Sequence, residues 1–131
     1  MKRFETSVFI MSVYDDTFIE FVVKKDAVLD SDDLWEARKM SLEYLPGKKF
    51  GVLTEAQDMM NITKEARETG ASKEYAVDLY AVALYSKNFS LKLLGNLYIR
   101  INKPNVPTRL FDDRKKAEEW LRSVMPKQQT R

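Results

Sequence analysis

Two runs of β-branched and aromatic residues, Val8 to Tyr14 and Thr17 to Val23, precede a regular succession of helix-patterned and strand-patterned segments. That succession limits the fold more than any other feature of the chain. Asp15-Asp16 separates the first two runs by a short polar interruption of the kind that turns a hairpin. In the second run Phe18, Glu20 and Val22 share one face of a strand while Ile19, Phe21 and Val23 share the other, which is the expected core side. Asp30-Ser31-Asp32-Asp33 then opens a helix, because carboxylates and hydroxyls there satisfy orphan N–H groups and the helix dipole. Leu34, Ala37, Ser41 and Leu45 recur at helical spacing, and Pro46-Gly47 ends the segment.

The alternation continues with a strand over Phe50 to Thr54 and a helix over Lys64 to Thr69, with Thr63 as N-cap and Gly70 as its stop. After a short helical extension near Lys73 to Ala76, Leu79 to Tyr85 reads as a buried strand. Phe89 to Ile101 is the most apolar helix, and on a wheel of about 100° per residue Leu91, Leu93, Leu94, Leu97, Tyr98 and Ile101 gather on one broad arc. That arc is wider than the stripe of an ordinary surface helix, so more than the sheet is expected to cover it. Asn102 to Pro107 holds two prolines and forms a loop. Thr108 to Phe111 is a strand, and Asp112 caps a last helix with Ala117, Trp120, Leu121 and Val124 on its apolar face. The order is β-β-α-β-α-β-α-β-α: an α/β fold with a mixed sheet of about five strands flanked by about four helices. Its later strands are joined by connections long enough for parallel crossovers.

A chain of 131 residues with 44% hydrophobic content fits one domain around one core. Lys and Arg total 22 against 20 Asp and Glu, and a net charge of +2 does not supply the field of a dedicated nucleic-acid binder. The sequence has neither cysteine nor histidine, which removes thiol chemistry, the usual zinc ligands and the commonest general base. No phosphate loop, Gly-x-Ser-x-Gly or dinucleotide fingerprint is present. The expectation is a non-enzymatic protein without cofactor or metal. Met1-Lys2-Arg3 leads into alternating Phe4, Glu5, Thr6 and Ser7 rather than an apolar core, so it does not read as a signal peptide. No apolar run approaches the roughly 20 residues that span a bilayer, and a cytoplasmic location is expected. Asp30, Asp32, Asp33 and Glu36 are read as capping residues rather than a hard-cation site, and the basic residues of the last third as a solvated face.

Several local sequences sharpen the fold: Ile62-Thr63-Lys64-Glu65-Ala66-Arg67 at a helix entry, and the run from Gly95 through Asn102-Lys103-Pro104. Pro107-Thr108-Arg109-Leu110-Phe111 and Trp120-Leu121 follow. With the element order, they resemble the SpoIIAA-like fold of the STAS superfamily, which includes the bacterial anti-anti-sigma factors, and resemble still more closely small uncharacterised bacterial domains of that type. The resemblance covers nearly the whole chain and speaks mainly to fold. In the anti-anti-sigma factors a serine within Asp-Ser-Ser-Gly at a helix start is phosphorylated to release a partner. Here Thr63, Lys64, Glu65 and Ala66 occupy those positions, which leaves lysine in place of the modified serine.

Glu55 ends the third strand, and with Thr63 and Lys64 it is expected to line a surface at the carboxyl rim of the sheet, where open α/β sheets bind ligands. Met59, Met60 and Ile99 complete the candidate interaction surface if the fold gathers them into one apolar patch. Two functions are therefore expected. The first is a STAS-like interaction or regulatory domain whose partner is a protein, a second copy of the chain included. The second is a carrier of a small apolar ligand or lipid, walled by the Phe89 to Ile101 helix, a reading that the resemblance supports because this fold is linked to lipid-exchange domains.

Overall fold

The computed structural model describes residues 2–14, 18–58 and 60–125. In chain order the elements are β1 (Lys2–Glu5), β2 (Phe9–Tyr14), β3 (Phe18–Val23), β4 (Val28–Leu29), α1 (Ser31–Tyr44), β5 (Phe50–Ala56) and β6 (Asn61–Ile62). They continue with α2 (Lys64–Ala71), α3 (Lys73–Ala76), β7 (Leu79–Tyr85), α4 (Phe89–Leu97), a π-turn over Tyr98–Asn102, β8 (Thr108–Phe111) and α5 (Arg114–Val124). Six strands form one sheet in the order β1-β2-β3-β5-β7-β8, while β4 and β6 pair separately. The first three strands run antiparallel and the later neighbours run parallel. The turn expected at Asp15-Asp16 lies outside the described residues.

The sheet has one strand more than the sequence suggests. Lys2–Glu5 pairs with β2 at the sheet edge, and its Lys-Arg-Phe-Glu sequence carries a single apolar residue, too little to show a strand period. Gly70 lies inside α2 rather than ending it. The cap of α5 is Asp113, whose Oδ1 accepts from the Lys115 N–H at 3.3 Å, and Asp112 precedes it.

Successive crossovers from β3 to β5, β7 and β8 all advance in one direction, so their right-handedness deposits the connecting helices on one face. Helix α1 accordingly packs Ala37 and Leu45 against Phe9, Met11, Ile19, Phe50 and Val52. The opposite face is left to α5, whose Ala117 and Leu121 meet Phe18, Leu53, Ala81 and Ala83. Both faces of β3 are therefore core, and Phe18 is as fully enclosed as Ile19. The expectation of one core side for that strand is corrected, because a parallel sheet is covered on both faces. In β7 the pairing skips Tyr80, with Leu79 opposite Phe50 and Ala81 opposite Gly51. This bulge sends Leu79 to the α1 side and Ala81 to the α5 side, although simple alternation puts them together.

Helix α5 sits close because its path is lined by small residues. A Cβ on Gly51 would stand 2.7 Å from Met125 Sδ and 2.9 Å from Leu121 Cδ1. The same face buries a charge. Glu20 accepts from Arg114 Nε at 2.9 Å and Nη2 at 3.0 Å, and from the Tyr14 hydroxyl at 3.1 Å. Arg114 also donates to Glu118, which accepts in turn from Arg122. A carboxylate enclosed this far is tolerable only when its lone pairs are engaged.

Gly51→Ala is expected to lower stability by about 1–3 kcal/mol through overpacking, measured by urea unfolding. Arg114→Ala is expected to lose about 2 kcal/mol in the same assay, less than a fully enclosed pair because Arg114 keeps solvent contact. Adding Glu20→Gln to it is expected to restore part of that loss.

Candidate functional site

The sheet face under α1, α2 and α4 is roofed without being filled. A cavity of about 180 Å³ lies there, walled by Phe21, Val52 and Val82 of the sheet and by Leu34, Ala66, Leu91, Leu94 and Tyr98 of the helices. Helix α4 forms the wall nearest β8. It begins at Asn88, whose side-chain oxygen accepts from the Leu91 N–H at 3.1 Å and whose Nδ2 donates to Asp58. Gly95 lets the helix approach β8, since a Cβ there would lie 3.2 Å from Leu110 Cδ1. The regular helix ends at Leu97 rather than Ile101. The π-turn follows, and Lys103 takes a left-handed conformation with φ 49.

Few polar groups line the cavity, and several are already engaged. The Tyr75 hydroxyl donates to the Leu34 carbonyl at 3.1 Å, and its ring lies 3.9 Å from the buried Arg38 guanidinium, which donates to the Tyr75 carbonyl and to Asp78. Asp33 Oδ2 accepts from the Asp30 N–H at 2.8 Å, closing a capping box. The Tyr98 hydroxyl, like those of Thr54 and Tyr85 in the same lining, has no hydrogen-bond partner among the described residues. Burial pushes its pKa up to about 12, so it remains a neutral donor at any physiological pH.

The residues singled out in the sequence have different immediate neighbours. Glu55 lies in a polar cleft at the carboxyl ends of β5 and β7 with Lys25, Asp58, Ser86, Lys87 and Asn88. Thr63 caps α2, accepting from the Ala66 N–H at 3.0 Å, and donates to Asp30 Oδ1 at 2.8 Å. That bond and the Ser31 N–H hold the Asp30 carboxyl below its ordinary range. Lys64 is exposed beside it. Met60 turns inward and lines the cavity, Ile99 is half-buried, and Met59 lies outside the described residues. Of the three residues of the expected apolar patch, Met60 belongs to the cavity wall. Tyr75 was not legible as part of that wall, because four-residue α3 gives no helical period to read.

The broad apolar arc of the Phe89 to Ile101 segment divides in two. Leu91, Leu94 and Tyr98 face the cavity, while Leu93, Leu97 and Ile101 are exposed, joined by Phe89. No helix among the described residues is long and apolar enough to cross a membrane.

A mixed sheet with the crossover helices on one face and a terminal helix on the other is a SpoIIAA-like architecture. It is shared by an uncharacterised protein of the DUF3478 family from Shewanella loihica PV-4, described as having a SpoIIAA-like fold. The two structures superpose with a TM-score of 0.61 at 12% sequence identity, over 86% of this chain and 91% of that one. The chain belongs to the family described as a domain of unknown function, DUF7793, whose model matches residues 11–125. No curated protein matches it.

Burial raises the Glu55 pKa, and the neighbouring Glu20 carboxylate adds to the shift. The folded chain thus holds the Glu55 proton more tightly than the unfolded chain, and ionising Glu55 costs stability as pH rises through the carboxylate range. Glu55→Gln is expected to melt above the native chain at pH 7, and to lose that advantage well below 4.5. Thermal unfolding followed by circular dichroism at both pH values checks this.

Proposed function

We propose that the chain is a non-enzymatic binding protein that takes a small apolar molecule into the space between its sheet and the α1, α2 and α4 layer. The observation that carries this reading is the cavity of about 180 Å³ behind α4, with apolar walls. A bound apolar molecule gains packing contacts with those walls without new hydrogen bonds.

Size narrows the ligand. An engineered apolar cavity of about 150 Å³ takes benzene, whereas drug-sized ligands use about 300–1,000 Å³. The occupant is therefore a single ring or a short chain rather than a whole diacyl lipid. Tyr98 adds one recognition element, a neutral hydroxyl able to meet a single polar atom on an otherwise apolar ligand.

A domain switched by phosphate at the α2 entry has less behind it. Lys64 replaces the serine of that switch, and the Thr63 hydroxyl already serves both Ala66 and Asp30. Modifying Thr63 would break the cap and set a phosphate beside a carboxylate.

Thermal-shift titration with indole, a ring bearing one polar group, tests the proposal. Indole is expected to raise the melting temperature of the native chain in a saturable way. Val82→Phe, which fills part of the cavity, is expected to fold and to abolish the shift. An unshifted native chain, or an equal shift in Val82→Phe, rejects the cavity as the site.

A further inference from the structure

The outer side of α4 has no partner within the chain. Phe89, Leu93, Leu97 and Ile101, each four residues from the next, are 70%, 50%, 48% and 70% exposed. A row of four large apolar side chains along one helix exceeds the single exposed residues normal for a protein surface. Along this stretch of the chain the charges are of one sign. Between Asp78 and Asp112 the sequence holds no acidic residue, and Lys87, Lys92, Arg100 and Lys103 occupy α4 and the segments that flank it.

Among the described residues no carboxylate forms a salt bridge with Lys92, Arg100 or Lys103. Arg109, the other cation of this stretch, turns to the opposite sheet face and lies over Phe111 and Trp120. Asp58 lies at the start of α4, where it is engaged with Asn88. At about 1.5 Å per residue, Phe89 to Asn102 makes a segment about 20 Å long, apolar along its exposed ridge and cationic beside it. An interfacial helix combines the same two properties: apolar side chains that enter the acyl boundary, and cations that meet anionic headgroups.

We propose that this face of α4 and its π-turn docks on an anionic bilayer surface, with Phe89, Leu93, Leu97 and Ile101 inserted and Lys92, Arg100 and Lys103 at headgroup level. Charge decides against a second copy as the occupant. A two-fold contact through this row sets like charges of the two chains against each other with no acid between them. The inference stands on the outer row and its cations, and does not require a ligand in the cavity.

Co-sedimentation of the full chain with vesicles tests it. Binding is expected to vesicles of phosphatidylcholine containing phosphatidylglycerol, to be weak with phosphatidylcholine alone, and to fall as salt rises. Leu93→Glu combined with Leu97→Glu is expected to abolish binding without changing the melting temperature, because both positions are exposed. Arg100→Gln and Lys103→Gln are each expected to lower the partition coefficient about fivefold. Val82→Phe is expected to bind vesicles like the native chain, so failure of the cavity reading leaves this one standing. The proposal is overturned if the native chain stays in the supernatant with anionic vesicles, or if the double glutamate variant still binds. It is equally overturned if sedimentation velocity shows a native dimer that the double variant converts to monomer, which assigns the row to self-association.

Discussion

Helix α5 can lie against the sheet only because Gly51, Ala81 and Ala83 leave no large side chain in its path. The rest of the architecture depends on that close seat. Three crossovers advancing in one direction commit their helices to a single face, so one terminal helix must seal the other. Its approach excludes water from Phe18 and Leu53 and draws Arg114 over Glu20. A buried carboxylate in the middle of β3 is stable there because the helix that buries it also brings its counter-charge. The Glu20–Arg114 link thus fixes where α5 begins as well as how closely it lies.

The opposite face is built differently. Helices α1 and α2 are joined at their entries through the β4–β6 pair and the Thr63–Asp30 bond, and the Ser31–Thr69 bond ties the start of α1 to the last turn of α2. Helix α4 reaches the sheet mainly through β8, where Gly95 permits contact with Leu110. Between these two supports the roof bridges the sheet instead of filling it, and a cavity results. One helix therefore has two apolar sides with separate destinations, one toward the cavity and one toward solvent. The π-turn lies where α4 gives way to the loop leading into β8.

Much of this plan is legible in the residues. Asp30 and Thr63 announce their helices because caps are local chemistry, completed within three residues of the chain. The strands from Phe9 onward show themselves through β-branched runs, and the order of elements limits the sheet to few topologies. Lys2–Glu5 and the Tyr80 bulge leave no local pattern, because each depends on a neighbouring strand to be a strand or a bulge at all. For the candidate site, the width of the α4 arc led to the expectation of a helix covered by more than the sheet, but the chain covers only the side carrying Leu91, Leu94 and Tyr98 and leaves Leu93, Leu97 and Ile101 exposed. Met60 and Ile99, read as surface, are instead a cavity lining and a half-buried side chain.

Sequence by itself determined the fold class, the entries of α1 and α2 and the absence of histidine and cysteine chemistry, since each follows from residue identity or from neighbours a few positions apart. Tertiary structure alone decided that Glu20 is buried, that Glu55 and Thr63 keep different company, and that the apolar arc of α4 splits between cavity and exterior. Those outcomes depend on which surfaces face one another after the chain has crossed the sheet. Burial is a property of opposed surfaces, and local pattern records only that a surface is apolar, not what will come to lie against it.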